Sequence, residues 1–184
     1  MHHLIAAELI QLAKYDLEVR QQLQEENKLS PGYNPEMEAV HKQNAARLKQ
    51  LIAQIGWPTI PKVGKEASEA AWLIVQHSIG DPVFIKSCYA LLEQSAGTVN
   101  PQQLAYLHDR ICYFEGKPQK YGTQYEDKGL YPVEDKNKVN ALRTKLALKP
   151  HSMDIITEAT KTELPTDLHT DPEFNAWRKK VGWI

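Results

Sequence analysis

Two stretches of this chain are apolar nearly all the way round a helix, and each is broken by a small polar block. The first reads Ala70-Ala71-Trp72-Leu73-Ile74-Val75, then Gln76-His77. The second reads Leu104-Ala105-Tyr106-Leu107, then His108-Asp109-Arg110, then Ile111-Cys112-Tyr113-Phe114. A helix that is apolar on every side has to be buried. Polar groups inside it need partners, because an unpaired one costs about 1–3 kcal/mol and a charged one more. Such blocks are either internal struts or a site.

The rest of the chain supplies helices to bury them. Ile5, Leu9, Leu12, Val19 and Leu23 recur at alternating spacings of four and three, which predicts one long helix over 3–27. Asp16 falls on that stripe, and Arg20 follows it within ion-pair reach. Residues 35–55 form a second helix whose stripe is Met37, His41, Asn44, Leu48, Leu51 and Ile55. Prolines should hold 57–64 extended. Helices are then expected over 65–79, from Pro82 to near Gly97, from Pro101 to about Gly116, over 135–147, over 151–160 and from Pro172 onward. Residues 117–133 alternate loosely around Glu126-Asp127-Lys128-Gly129, an irregular loop or small hairpin. Leu164 to Thr170 reads as irregular. The expected fold is all-α: a single-domain multi-helix bundle over 1–184 with one non-helical excursion near 117–133.

A chain of 184 residues with 42% hydrophobic and 24% charged side chains can bury a real core. A formal net charge of -1 gives no electrostatic reason to expect nucleic acid or an anionic membrane as partner. No segment approaches the roughly 18 uninterrupted apolar residues of a membrane span. The N-terminal residues lack the basic region and apolar core of a signal peptide. Cys88 and Cys112 sit in apolar helical context, as buried free thiols of a reducing compartment do. A cytoplasmic protein is expected, although export without an N-terminal signal would leave no trace here.

Asp16, Asn44, Gln76, His77, Asp109 and Arg110 lie on or beside apolar stripes of four different helices. Burying those stripes together brings these groups into a shared interior. An ionised Asp buried alone is prohibitive, so each needs a partner, and Arg20 and Arg110 are the evident counter-charges. Gln119, Tyr121, Thr123 and Gln124 cluster around Gly122 in the irregular segment. Burying such a backbone requires function or thorough hydrogen bonding.

The sequence resembles a family of small bacterial helical proteins known only as a domain of unknown function. The matching text begins with Asp16-Leu17-Glu18-Val19-Arg20, Gly32-Tyr33-Asn34-Pro35-Glu36-Met37 and Asn44. It continues with Gly56-Trp57-Pro58, Val63-Gly64, Ala70 to His77 and Leu104 to Arg110. It ends with Gly116-Lys117-Pro118-Gln119-Lys120-Tyr121-Gly122-Thr123-Gln124 and Pro132-Val133-Glu134-Asp135. The likeness spans about residues 10 to 150, and Pro118 to Gln124 is its most specific part. His108 stands where the family pattern is more variable, which makes it a weaker candidate than Asp109 and Arg110. The resemblance implies a bacterial protein and a shared polar site, and it brings no activity with it.

Two functions fit these residues. In the first, the protein is a small-molecule hydrolase or transferase. His77 is the acid/base and Asp109 or Asp16 orients it. Asp16, Arg20, Asn44, Gln76, Arg110, Gln119, Tyr121, Thr123 and Gln124 supply contacts to a small polar or anionic ligand. In the second, the protein is a non-catalytic ligand-binding or protein-interaction module whose polar core is structural. His41, His77, His108, Asp16 and Asp109 include enough ligand types for zinc or iron. No HExxH, ExxH or CxxC is present, so the sequence assigns no metal and no cofactor. The apolar neighbours of Cys88 and Cys112 argue against a low-pKa nucleophile.

Overall fold

Prolines mark helix starts in the computed structural model, which describes residues 1–126, 129–164, 168 and 171–184. Helices α2 (Pro35–Ile55), α5 (Pro82–Gln94), α6 (Pro101–Phe114) and α9 (Pro172–Lys180) each begin at one. Proline suits the first turn because its missing N–H has no helical partner there. The residue before each proline is an Asn or Asp whose side chain accepts a first-turn N–H: Asn34, Asp81, Asn100 and Asp171. The other helices are α1 (His3–Glu25), α3 (Ile60–Val63), α4 (Lys65–His77), α7 (Val139–Lys145) and α8 (Met153–Lys161). Among the described residues the fold is mostly all-α, with a two-stranded antiparallel hairpin, β1 (Tyr125–Glu126) and β2 (Gly129–Leu130), in which Tyr125 lies opposite Leu130. The expected turn residues Asp127 and Lys128 lie outside the described residues, as does most of the expected irregular stretch from Leu164 to Thr170.

The chain divides into two compact units, Met1–Val99 and Asn100–Ile184. In the first, α4 packs against α1, α2, α3 and α5. The apolar run of α4 explains this: Ala67, Ala70, Ala71, Ile74 and Val75 are all buried. The buried face of α1 is Leu9, Ala13, Asp16, Val19 and Leu23, so Asp16 does sit on the apolar stripe. Val19, Leu23, Met37 and Val40 join in one cluster that Leu29 and Tyr33 cover. Residues 60–63 coil into α3 instead of running extended. Pro61 falls in the first turn, and Gly64 ends the helix at φ +87°. The ammonium of Lys62 holds the turn by donating to the carbonyls of Ile55 and Trp57.

In the second unit, α6 buries Ala105, Leu107, Asp109, Tyr113 and Phe114. Phe114 stacks on Trp183 at 4.9 Å between ring centres, and Tyr113 meets Tyr131 edge-on at 4.9 Å. Leu130, Val133, Val139, Ile156 and Ala159 form a second cluster. Helix α7 starts four residues later than the sequence suggests. The Asp135 side chain captures the N–H of Asn137 in a turn first. No helix among the described residues is long and apolar enough to cross a membrane.

Candidate functional site

Asp16, in the middle of α1, is 0% exposed. A buried carboxylate needs donors, and three side chains from two other helices converge on it. His77, the last residue of α4, donates from Nδ1 to Oδ1 at 2.7 Å. Asn44 of α2 donates to Oδ2 at 3.3 Å and shares its amide with the Leu12 carbonyl at 3.4 Å. His41, one turn before Asn44, places Nε2 at 3.4 Å from Oδ2. Burial works against ionisation of Asp16. The contacts with His41 and His77 outweigh it and hold the carboxyl far below the usual carboxylate range.

Tyr33 completes the chain of contacts. Its hydroxyl hydrogen-bonds Nδ1 of His41. Burial pushes the Tyr33 phenol well above its ordinary pKa, so it keeps its proton and donates it. His41 then accepts at Nδ1 and carries its own proton on Nε2, facing Asp16. The rings of His41 and His77 lie 5.1 Å apart. The His77 side chain is 22% exposed, whereas that of His41 is 8% exposed. A cavity of about 310 Å³ opens beside His41, lined also by Tyr33, Glu38, Lys42, Ser78 and Asp81. Two ion pairs flank it, Lys42 with Glu38 at 2.9 Å and Lys49 with Asp81 at 2.5 Å.

The first unit therefore brings together Asp16, Asn44 and His77, as the stripes suggested, and adds His41 and Tyr33. The position of His41 on the Asn44 stripe was a readable signal for it. Nothing in the local pattern pointed to Tyr33, which lies in the loop before α2. Arg20 is solvent-exposed, and imidazoles rather than guanidinium face Asp16. Gln76 is buried on α4.

Asp109, Arg110, Gln119, Tyr121, Thr123 and Gln124 belong to the second unit. Asp109 is 0% exposed, and the loop after α6 wraps round its carboxylate. Oδ1 accepts the backbone N–H groups of Lys120 at 2.9 Å and Tyr121 at 3.1 Å. Oδ2 accepts those of Tyr121 at 3.0 Å and Thr123 at 3.1 Å, and the Thr123 hydroxyl at 3.1 Å. His108 adds a donation from Nδ1 at 3.2 Å. Gln119 is buried and clamps the same loop. Its amide donates to the carbonyls of Gln124 at 2.9 Å and Tyr131 at 2.7 Å, and its oxygen accepts the Gln124 N–H at 2.8 Å. From outside, Arg143 donates to the carbonyls of Tyr121 and Gly122, both at 2.8 Å, and His151 donates to Gly122 at 2.7 Å. Arg110 is half-buried on α6.

Both cysteines are free. Burial pushes the Cys88 thiol up to about 12, which leaves it protonated and unreactive near neutrality.

Fold and site define a small, mostly helical protein with a buried carboxylate held between two imidazoles. Residues 4–161 match the family of unknown function DUF6624, and the chain belongs to it. No curated protein matches the chain, and no solved structure does.

Proposed function

We propose that the Asp16–His77 pair serves as the acid/base dyad of a small-molecule hydrolase or transferase. The observation that carries this reading is the 2.7 Å bond from His77 Nδ1 to a fully buried carboxylate. That bond fixes the ring and keeps its proton on Nδ1, which leaves the Nε2 lone pair for proton transfer. In hydrolysis, Nε2 takes a proton from water as the water oxygen bonds to the electrophilic centre. It then returns the proton to the leaving group. The cavity lined by His41, whose ring lies 5.1 Å from that of His77, offers room nearby for a small polar substrate, although His77 does not itself line it. A reducing, cytoplasmic setting agrees with two free cysteines.

A second reading, a non-catalytic module with a structural polar core, draws support from the second unit. There Asp109 spends its carboxylate on backbone N–H groups of its own loop. The experiment compares wild type with His77→Gln on a panel of chromogenic esters, phosphoesters, amides and glycosides. Turnover that His77→Gln abolishes while the melting temperature holds supports the dyad. Turnover indifferent to the substitution overturns the dyad, and turnover absent from the whole panel favours the structural reading.

A further inference from the structure

The contacts at Asp16 Oδ2 are long, and one of them is incomplete. His41 is more than nine-tenths buried, yet among the described residues its Nε2 makes no well-formed hydrogen bond, in a region where an unmade bond is costly. It is aimed at Oδ2 from 3.4 Å. Asn44 reaches the same oxygen only at 3.3 Å. His77 approaches the other oxygen at 2.7 Å. Around one carboxylate, therefore, two imidazole nitrogens converge, and the contacts to one of its oxygens are long.

We infer that Asp16, His41 and His77 form a binding site for a divalent first-row transition-metal ion of the zinc or iron class. Two imidazoles and one carboxylate suit such ions better than Mg²⁺ or Ca²⁺, which prefer all-oxygen sites. One ligand atom from each residue lies within 4.8 Å of the others. An ion about 2.0–2.2 Å from each ligand atom sets them about 3.4 Å apart in a tetrahedral site, so the cluster contracts on loading wherever its atoms stand farther apart. Three protein ligands leave a coordination position open, the pattern of catalytic rather than structural sites. Support outside the ligands is in place as well. Tyr33 fixes the far nitrogen of His41 and Asn44 fixes the carboxylate, as outer partners do at metal sites.

Starting from neutral imidazoles, loading the site needs no net proton release. His41 moves its proton from Nε2 to Nδ1, and Tyr33 turns to accept it. His77 moves its proton from Nδ1 to Nε2. The inference rests on the Asp16 cluster being the working site, and it names what the cluster holds. In the loaded site the ion takes over from His77 the activation of water.

The test uses the full chain, stripped with EDTA and titrated with ZnSO₄ by calorimetry, with stoichiometry read by elemental analysis. One zinc per chain is expected, with a raised melting temperature. Binding should be lost in Asp16→Asn, His41→Ala and His77→Ala, weakened about 10-fold in Tyr33→Phe, and unchanged in His108→Ala. Wild-type protein loaded with Co²⁺ should show the visible bands of a four- or five-coordinate nitrogen–oxygen site, a readout that does not depend on any variant folding. No zinc uptake, or uptake indifferent to all three ligand substitutions, overturns the site. His77-dependent turnover in EDTA-stripped protein would overturn the ion as the working species while sparing the dyad. Zinc bound by these ligands with no turnover on the panel sustains the site and removes the hydrolytic reading.

Discussion

Both carboxylate oxygens of Asp109 accept the same backbone N–H, that of Tyr121, at 3.1 and 3.0 Å. The carboxylate thus sits astride one N–H and reaches that of Lys120 just before it and that of Thr123 two residues after it. Asp109→Asn keeps the size but replaces an acceptor with an NH₂ group that faces donors. We expect it to lower stability by about 3 kcal/mol or more, because several bonds to a buried charge are lost together. Urea unfolding followed by circular dichroism measures this. A loss under about 1 kcal/mol would mean that the cage is not a structural element.

Gly122 occupies the same loop at φ +66°, where its carbonyl receives both Arg143 and His151. A Cβ there would lie 3.0 Å from His151 Nε2 and 3.1 Å from its Cδ2. Gly122→Ala combines that crowding with a left-handed backbone. It should cost about 1–2 kcal/mol from the backbone alone, and more with the displaced imidazole. A melting temperature equal to wild type would contradict the geometry.

His108 carries a pH signature for the second unit. Its hydrogen bond to Asp109, together with Cys112 at 3.8 Å, raises its pKa from 6.5 to about 9. A raised histidine pKa contributes stability that is fully present below the unfolded value. That stability is lost as pH rises through the folded value. The melting temperature should therefore fall between about pH 6.5 and about pH 9, and His108→Gln should flatten that part of the profile. Parallel profiles for the two proteins would rule the histidine out as the source.

The helix starts were legible because their causes are local. Asn34, Asp81, Asn100 and Asp171 each precede a proline, and each caps a helix. The polar positions were legible as well, since Asp16, Asn44, His77 and Asp109 all lie on stripes that proved to be buried or nearly so. The pairings were not. His77 is 61 residues from Asp16, and helical spacing carries no information about contacts at that range. Arg20 looked like the natural partner on local grounds and points to solvent instead. The loop from Gln119 to Gln124 hid its role for another reason. It serves Asp109 mainly through main-chain N–H groups, which every residue but proline possesses and no side-chain pattern displays.

Asp16 occupies a position that packing alone would give to leucine. Replacing buried charged groups with apolar ones of similar volume is often neutral or stabilising by about 1–4 kcal/mol, whereas removing a single partner is destabilising. A variant with the whole set replaced, Asp16, His41, Asn44 and His77 by leucine with Tyr33→Phe, should therefore melt at or above the wild-type temperature. With that outcome, the carboxylate in α1 is a residue that folding tolerates rather than requires. Its retention would then reflect selection for use, at a site where selection for stability runs the other way.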